Sequence, residues 1–155
     1  MTGEVEARLH RLGIELPSAS TPVANFVMSS ASGKMIQLSG HAPQLNDGSV
    51  VTGRLGDNMD VSAGADAARL VGLQLLASLQ QACGGTLDQV KQCVRLYGLV
   101  LCTSQFTAHA SVMNGASDLM VEVFGDAGRH ARTTIGARAL PFGIAVEIEG
   151  TFELH

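Results

Sequence analysis

The sequence predicts a two-layer α+β sandwich, in which two helices cover one face of a mixed β-sheet. Two long stretches, 62–83 and 105–124, have the apolar spacing of buried helices and alternate with segments rich in strand-forming residues. The segment 146–154 alternates apolar residues with three glutamates, which is typical of a strand with one buried face. The predicted order is βββαβαββ, preceded by one short helix.

A short helix is predicted at the beginning of the chain. Residues 3–12 are amphipathic, and Gly13 and Pro17 would end the helix. We assign residues 1–17 to an N-terminal helical extension of one domain that covers 1–155, because no linker or repeat divides the sequence.

Three strands are predicted before the first long helix. Residues 23–29 and 35–40 form the first two, separated by a turn that contains Gly33. A third strand is expected after Asn46-Asp47-Gly48, since Asp-Gly is a strong hairpin signal.

Helices and strands alternate in the rest of the sequence. The helix at 62–83 is expected to be capped by Asp60 or Ser62 and to end at Gly84-Gly85. The remaining predicted elements are a central strand at 90–103, a second helix at 105–124, and two terminal strands on either side of Leu140-Pro141.

The composition favours association of several copies. Hydrophobic residues make up 46% of the chain and charged residues 15%, with a mean hydropathy of +0.23, although a small protein must cover a large surface with polar atoms. We therefore expect subunit association to cover the sheet face that lacks helices. The sequence contains no apolar run of about 18 residues and no signal-peptide pattern, so we expect no membrane association and a cytoplasmic location.

The composition argues against disulfide, metal and nucleic-acid sites. Cys83, Cys93 and Cys102 fit neither a disulfide framework nor a zinc motif, and we expect buried free thiols. The five histidines lack metal-binding spacing, so no metal is expected. A formal charge of −4, no tryptophan and one tyrosine disfavour a nucleic-acid surface.

The last 26 residues carry the candidate chemistry. Arg132 offers a planar fork that binds a carboxylate through two hydrogen bonds. In a strand, His130, Arg132 and Thr134 share one face. If this strand neighbours 146–154, its cationic row would meet the acidic row on the helix-free face. A structural ion pair of Arg132 with Glu147 or Glu149 is the alternative.

The same residues resemble the Rid family, also called YjgF or L-PSP. The family signature is matched by Ala131-Arg132-Thr133, Leu140-Pro141 and Val146-Glu147-Ile148-Glu149, with its characteristic spacing. Leu38-Ser39-Gly40-His41 and the segment 84–91 are similar to two further family segments. The resemblance spans about Val23 to Leu154, and it implies a chorismate-mutase-like fold, a homotrimer with active sites between subunits, and no cofactor.

The resemblance also implies roles for individual residues. Arg132 would anchor the carboxylate of a small imino or enamino acid, and Glu147 would position the hydrolytic water, with Glu149 structural. Asn114 would line the cleft, although it precedes Arg132 by 18 residues instead of the usual 17. Ser39 and Gly40 would present backbone groups to the substrate. A solvated Glu147, a surface or capping Asn114 and a bulge-relieving Gly40 are the structural alternatives.

Three departures from the family pattern affect the predicted pocket. Thr134 stands in place of a frequent cysteine, His130 in place of a proline, and Thr21-Pro22-Val23 in place of Gly-Pro-Tyr. We include Thr134 and His130 among the substrate-binding residues.

Three functions are compatible with these motifs. The first is hydrolytic deamination of 2-imino or 2-enamino acids to 2-keto acids and ammonia. The second is binding of 2-keto acids without turnover, in a regulatory trimer. The third is an endoribonuclease that uses His130 and Glu147 as an acid/base pair, which the acidic charge disfavours.

Overall fold

The structure, a computed structural model, describes residues 3–155. The helices and strands, in chain order, are α1 (Glu4–Arg11), β1 (Ser29–Ser32), β2 (Met35–His41), α2 (Val61–Ala82), β3 (Val90–Leu101), α3 (His109–Phe124), β4 (Ala131–Ala137) and β5 (Val146–Leu154). The strands form a mixed sheet in the order β1-β2-β5-β3-β4, with β3 and β4 parallel and the other pairs antiparallel. Because α2 and α3 pack on one face, the predicted α+β sandwich is confirmed.

The first strands differ from the prediction. The stretch 23–28 lies outside the sheet, and the first strand is shifted to Ser29–Ser32. Gly33 adopts a φ of 59°, which allows β1 and β2 to be joined by a two-residue turn. The third predicted strand is reduced to isolated bridges, Gln44 with Val50 and Thr52 with Ile144.

The residues on both sides of this segment explain why no third strand forms. The hairpin turn itself is present, since Leu45 N–H donates to the carbonyl of Ser49 at 2.8 Å. Pro43 lacks a backbone donor, however, and Gly53 has a φ of 153° that an extended strand does not allow. The ladder therefore ends after a few residues.

The long helices begin and end at local signals. Asp60 caps α2 by accepting a hydrogen bond from Ala63 N–H at 2.8 Å, as predicted. The helix α3 begins at His109, four residues later than expected, because Phe106 forms a turn in which its N–H donates to the carbonyl of Thr103.

The two faces of the sheet have different surroundings. The face under α2 and α3 is buried and apolar and includes Ile36, Leu38, Leu96, Val100, Val146, Ile148 and Phe152. Alternate residues point to the opposite face, which carries no helix of the described chain. This open face includes Gln37, Arg95, Tyr97, Thr133, Ile135, Glu147, Glu149 and Thr151. The predicted alternation in β5 is thus confirmed.

Glycines bring α2 and α3 close together. A Cβ atom on Gly115 would overlap the backbone carbonyl of Ala65, and one on Gly72 would lie 2.9 Å from the side chain of Leu119. These contacts fix the part of α3 that faces β4.

The helix α1 is attached to the turn before β3 through Asp88. The Asp88 carboxylate accepts hydrogen bonds from the N–H groups of Gly3, Val5 and Glu6 at 3.1, 2.8 and 3.3 Å. These groups belong to the beginning of the helix, where an anion is favourable. In turn, the Glu6 carboxylate accepts from Leu87 N–H at 2.7 Å.

The three cysteines differ in their exposure to solvent. All three cysteines are free thiols, but Cys93 is buried whereas Cys83 and Cys102 are partly exposed. The prediction of buried thiols is therefore right for Cys93 alone.

Among residues 3–155, each helix is too short or too polar to span a bilayer.

Candidate active site

Arg132 lies on β4, at the edge of the sheet, and its side chain points toward α3. Its Nη1 donates hydrogen bonds to Asn114 Oδ1 at 2.9 Å and to Ser117 Oγ at 3.1 Å. Asn114 and Ser117 are three residues apart and therefore neighbours on one side of α3. Nε and Nη2 of Arg132 make no hydrogen bond within the described residues. The guanidinium is thus oriented by α3 while two of its nitrogens can bind a ligand.

His130 extends this network. Its Nδ1 donates to the carbonyl of Gly128 at 2.6 Å, so that its Nε2 accepts the proton of the Ser117 hydroxyl at 2.9 Å. Ser117 in turn accepts from Arg132, which can only donate. Burial lowers the pKa of His130, and the charge of Arg132 lowers it further, against the opposite effect of the Gly128 carbonyl. The neutral imidazole therefore completes a directed chain from Arg132 through Ser117 to His130.

Thr134 follows Arg132 on the same face of β4. Its hydroxyl oxygen is buried and has no hydrogen-bond partner among residues 3–155. A buried hydroxyl without a partner is uncommon, because it loses its water without replacement. Thr134 thus offers a polar group next to the Arg132 cluster.

Glu147 lies on the open face of β5, on the other side of the sheet from Arg132. It pairs with Leu99 of β3, whereas Arg132 pairs with Leu96, and successive residues of a strand point to opposite faces. Because β3 lies between β4 and β5, the predicted meeting of the cationic and acidic rows on one face is wrong. Within the described chain Arg132 makes no ion pair with Glu147 or Glu149.

The surroundings of Glu147 favour its protonated form. Burial raises the pKa of Glu147, and the nearby charge of Glu149 raises it further. The side chain packs against Gly40, where a Cβ atom would lie 2.8 Å from Oε1 of Glu147. A raised pKa makes a carboxyl group a stronger base and its protonated form easier to reach.

Ser39 and Gly40 lie at an irregularity of β2, between Leu38 and His41. The Ser39 hydroxyl donates to the carbonyl of Val27 at 2.6 Å, so it holds the loop that precedes β1. Gly40 provides space for Glu147. Gly40 therefore lies beside Glu147, and both Ser39 and Gly40 are separated from Arg132 by β5 and β3.

A cavity of about 580 Å³ lies on the open face beside Ser39 and Glu149. The loop before β1 forms one wall of this cavity with Phe26 and Val27, and β3 contributes Arg95 and Tyr97. The guanidinium of Arg95 lies 5.3 Å from the centre of the Tyr97 ring. A larger cavity of about 700 Å³, between α1 and α2, contains none of the candidate residues.

Sequence reasoning missed Ser117, Arg95, Tyr97 and Phe26. Ser117 could have been found as the residue three positions after Asn114 on a helix. Arg95 and Tyr97 alternate with buried residues of β3, but their relation to Glu149 depends on strand order. No cluster of three metal-binding side chains is present in residues 3–155.

The fold and these residues define a small α+β protein with an oriented arginine at the sheet edge and glutamates on the open face. Residues 6–147 match the sequence model of a family described as "YjgF/chorismate_mutase-like, putative endoribonuclease". Since the match covers most of the sequence, the chain belongs to this family. The resemblance to the Rid family is thereby confirmed.

Individual relatives are similar over nearly their full lengths. Protein TCP17 of Trypanosoma cruzi is 44% identical over 155 residues, which cover 99% of this chain and 96% of that protein. A structure described as a putative endoribonuclease from Shewanella oneidensis is 35% identical, with a TM-score of 0.93 and coverage of 98% and 100%. Atu1372 from Agrobacterium tumefaciens, of unknown function, is 36% identical, with a TM-score of 0.88 and coverage of 97% and 94%.

Proposed function

We propose that this protein hydrolyses small 2-imino or 2-enamino acids to 2-keto acids and ammonia, at a site that two copies of the chain form together. The observation that carries the proposal is the guanidinium of Arg132, which α3 orients through Asn114 and Ser117 while leaving two nitrogens for a ligand. A small carboxylate matches this fork in charge and geometry.

Glu147 supplies the acid/base chemistry of the proposed reaction. As a carboxylate, it takes a proton from the water that attacks the imine carbon; as a carboxylic acid, it protonates the carbon of an enamine. The raised pKa of Glu147 supports both roles, because it makes the protonated form easier to reach than in an exposed glutamate. The carbinolamine formed by water addition releases ammonia and leaves the keto acid, without a cofactor.

Two copies are needed because the side chains of Arg132 and Glu147 lie on opposite faces of the same sheet. A homotrimer that buries the open face of one copy against the β4 edge of the next would bring the two residues together. The exposed side chain of Ile135 on that face, 45% accessible, supports such a contact.

An endoribonuclease has less support. Both ring nitrogens of His130 are engaged in hydrogen bonds, and Glu147 lies across the sheet from it. Three glutamates of β5 also make the open face unfavourable for phosphates.

The Glu147→Gln variant tests the catalytic part of the proposal. The amide keeps the shape of the side chain but cannot accept or donate the proton, so we expect imine hydrolysis to fall about 100-fold or more while 2-keto acid binding persists. The rate is measured by trapping imines generated in situ with semicarbazide, with and without protein.

Glu149→Gln is the matched control, since it lies on the same face about 6.6 Å along the strand. Equal losses in both variants would show a general electrostatic effect. If the wild-type protein does not accelerate hydrolysis but binds keto acids, the protein is a binder and the proposed reaction is wrong.

The Arg132→Lys variant tests the binding part. A single ammonium cannot bond to Asn114 and Ser117 and also hold a carboxylate with two hydrogen bonds. We expect the binding free energy to weaken by about 1.5–3 kcal/mol. Calorimetric titration with 2-oxobutanoate measures this loss, with Arg129→Lys, an exposed arginine of the same region, as the control. Unchanged affinity in Arg132→Lys would assign Arg132 a structural role.

A further inference from the structure

A thiol and an imidazole meet at the opposite end of β4 from Arg132. Cys102 directly follows β3, and His109 is the first residue of α3. The Sγ of Cys102 lies 3.4 Å from Nε2 of His109. This is hydrogen-bonding distance for sulfur, and it allows the imidazole to take the thiol proton.

A glycine allows this pair to pack directly against β4. Gly136 of β4 faces it, and a Cβ atom there would lie 2.8 Å from the Cys102 sulfur and 2.9 Å from Nε2 of His109. Gly136 is exposed, and β4 is an edge strand of the sheet. The sulfur itself is only partly buried, so that a small reagent can reach it.

The other two thiols differ from Cys102. Burial raises the pKa of the Cys93 thiol to about 12 and also raises the pKa of the Cys83 thiol. Within residues 3–155, neither has an imidazole partner. Burial thus disfavours the thiolate of both, whereas Cys102 has a base beside it.

The Cys102 pair is also separate from the Arg132 cluster. Gly136 lies four residues beyond Arg132 on the same side of β4, which is about 13 Å along the strand. The ring of Phe106 packs edge-on against His109, with 5.3 Å between the ring centres. This aromatic neighbour favours an uncharged ligand over a charged one.

We infer that Cys102 and His109 form a nucleophilic site that adds to small, uncharged electrophiles with an activated carbon–carbon double bond, such as α,β-unsaturated carbonyl compounds. Nε2 of His109 takes the proton from Cys102, and the thiolate attacks the β-carbon to form a carbon–sulfur bond. The electrons of the double bond move toward the carbonyl, and the α-carbon then receives the proton from the imidazolium. The net reaction adds S–H across the double bond and needs no oxidant.

Alkylation of the native protein by N-ethylmaleimide at pH 7 tests this inference. Peptide mass spectrometry follows the three cysteines separately in one sample. We expect Cys102 to react at least about tenfold faster than Cys83 and Cys93. In His109→Gln, the Cys102 rate should fall by about tenfold or more, while the Cys83 rate, which also reports on folding, stays the same.

A second variant tests the geometry of the pair. The methyl group of Gly136→Ala would clash with both the sulfur and the imidazole and displace them, so it should slow Cys102 and leave Cys83 unchanged. The inference is overturned if Cys102 reacts no faster than Cys83, or if its rate in His109→Gln equals that of the wild type. An unchanged Cys102 rate in Gly136→Ala would also overturn it, because the reactivity would then not depend on the contact between sulfur and imidazole.

Discussion

His130 is the residue whose protonation changes the candidate site most directly. In its neutral form it accepts the Ser117 proton, which leaves the Ser117 oxygen free to accept from Arg132. A protonated His130 would donate at both nitrogens and add a positive charge beside the guanidinium. The Ser117 oxygen has two lone pairs and would then accept from both cations, so that two positive charges would face the ligand site.

The pH dependence of stability follows from the lowered pKa of His130. The unfolded chain protonates this histidine near its ordinary pKa of 6.5, whereas the folded chain resists protonation until a lower pH. The contribution to stability is therefore fully present above about pH 6.5 and is lost as the pH falls toward the folded-state value. Burial lowers the pKa of His41 as well, so His41 contributes with the same sign.

The His130→Gln variant separates these effects. Glutamine stays neutral and can still accept from Ser117, so we expect wild-type affinity for 2-oxobutanoate at pH 7.5. At pH 5 the added positive charge should strengthen binding of the carboxylate by the wild type by about 0.5–1.5 kcal/mol, and the variant should show no such gain. Calorimetry at both pH values measures the difference, and urea unfolding should show a shallower pH dependence in the variant. The same change of affinity in both proteins would assign it to another group.

Residue identities could be predicted from the sequence better than their relative positions. Arg132 and Asn114 were selected by pattern and resemblance, and the structure brings them to 2.9 Å. Alternation within a strand shows which residues share a face, but it does not show which strand lies next to it. The insertion of β3 between β4 and β5 therefore could not be seen in the periodicity that linked Arg132 to Glu147.

The contact between α2 and α3 determines where Asn114 and Ser117 lie. Gly115 is between these two residues in sequence and touches the backbone of Ala65. A backbone carbonyl cannot rotate away from an added methyl group as a side chain can. The two helices would have to move apart, and with them the groups that orient Arg132.

We therefore expect Gly115→Ala to destabilise the protein by about 1–3 kcal/mol, as overpacking of a core does. This cost outweighs the gain of about 1 kcal/mol that alanine brings in helix propensity. Urea unfolding measures the change, and calorimetry should show weaker 2-oxobutanoate binding. Ser111→Ala, on the exposed side of α3, is the control and should change neither quantity. A Gly115→Ala variant more stable than the wild type would show that the helices separate at little cost.

Element boundaries were predicted well where the local signals were strong. The Asp60 cap and the glycine pair after Ala82 define α2 in both sequence and structure. The prediction was wrong for the first and third strands. Whether a short apolar segment forms a strand depends on the neighbouring strand with which it pairs, and the segment's own sequence does not specify that neighbour. The start of α3 was predicted too early. Phe106 fits the apolar spacing of the helix, but it lies in a turn before the helix and packs against the core from there.

At the scale of the whole molecule, we expect the open face to be covered by another copy of the chain. It carries the exposed apolar side chain of Ile135 next to polar ones. In the turn between β4 and β5, Phe142 is also 77% accessible and has a φ of 58°, an unfavourable conformation for a bulky side chain. We expect sedimentation equilibrium at micromolar concentration to give three times 16.1 kDa. Ile135→Asp should shift this equilibrium toward the monomer, because it buries a charge in the contact. A wild-type monomer would remove the two-copy site.

The placement of Arg132 and Glu147 on opposite faces has a genetic consequence: two inactive alleles should complement each other. In the proposed ring of three, each site would take its arginine from one copy and its glutamate from the next. Suppose that equal amounts of Arg132→Lys and Glu147→Gln chains are refolded together. About three quarters of the rings then contain both variants, and each of these mixed rings has one intact site out of three. About a quarter of the wild-type activity should then return from two preparations that are each nearly inactive. Activity that fails to return in verified mixed rings would place both residues of each site on a single chain.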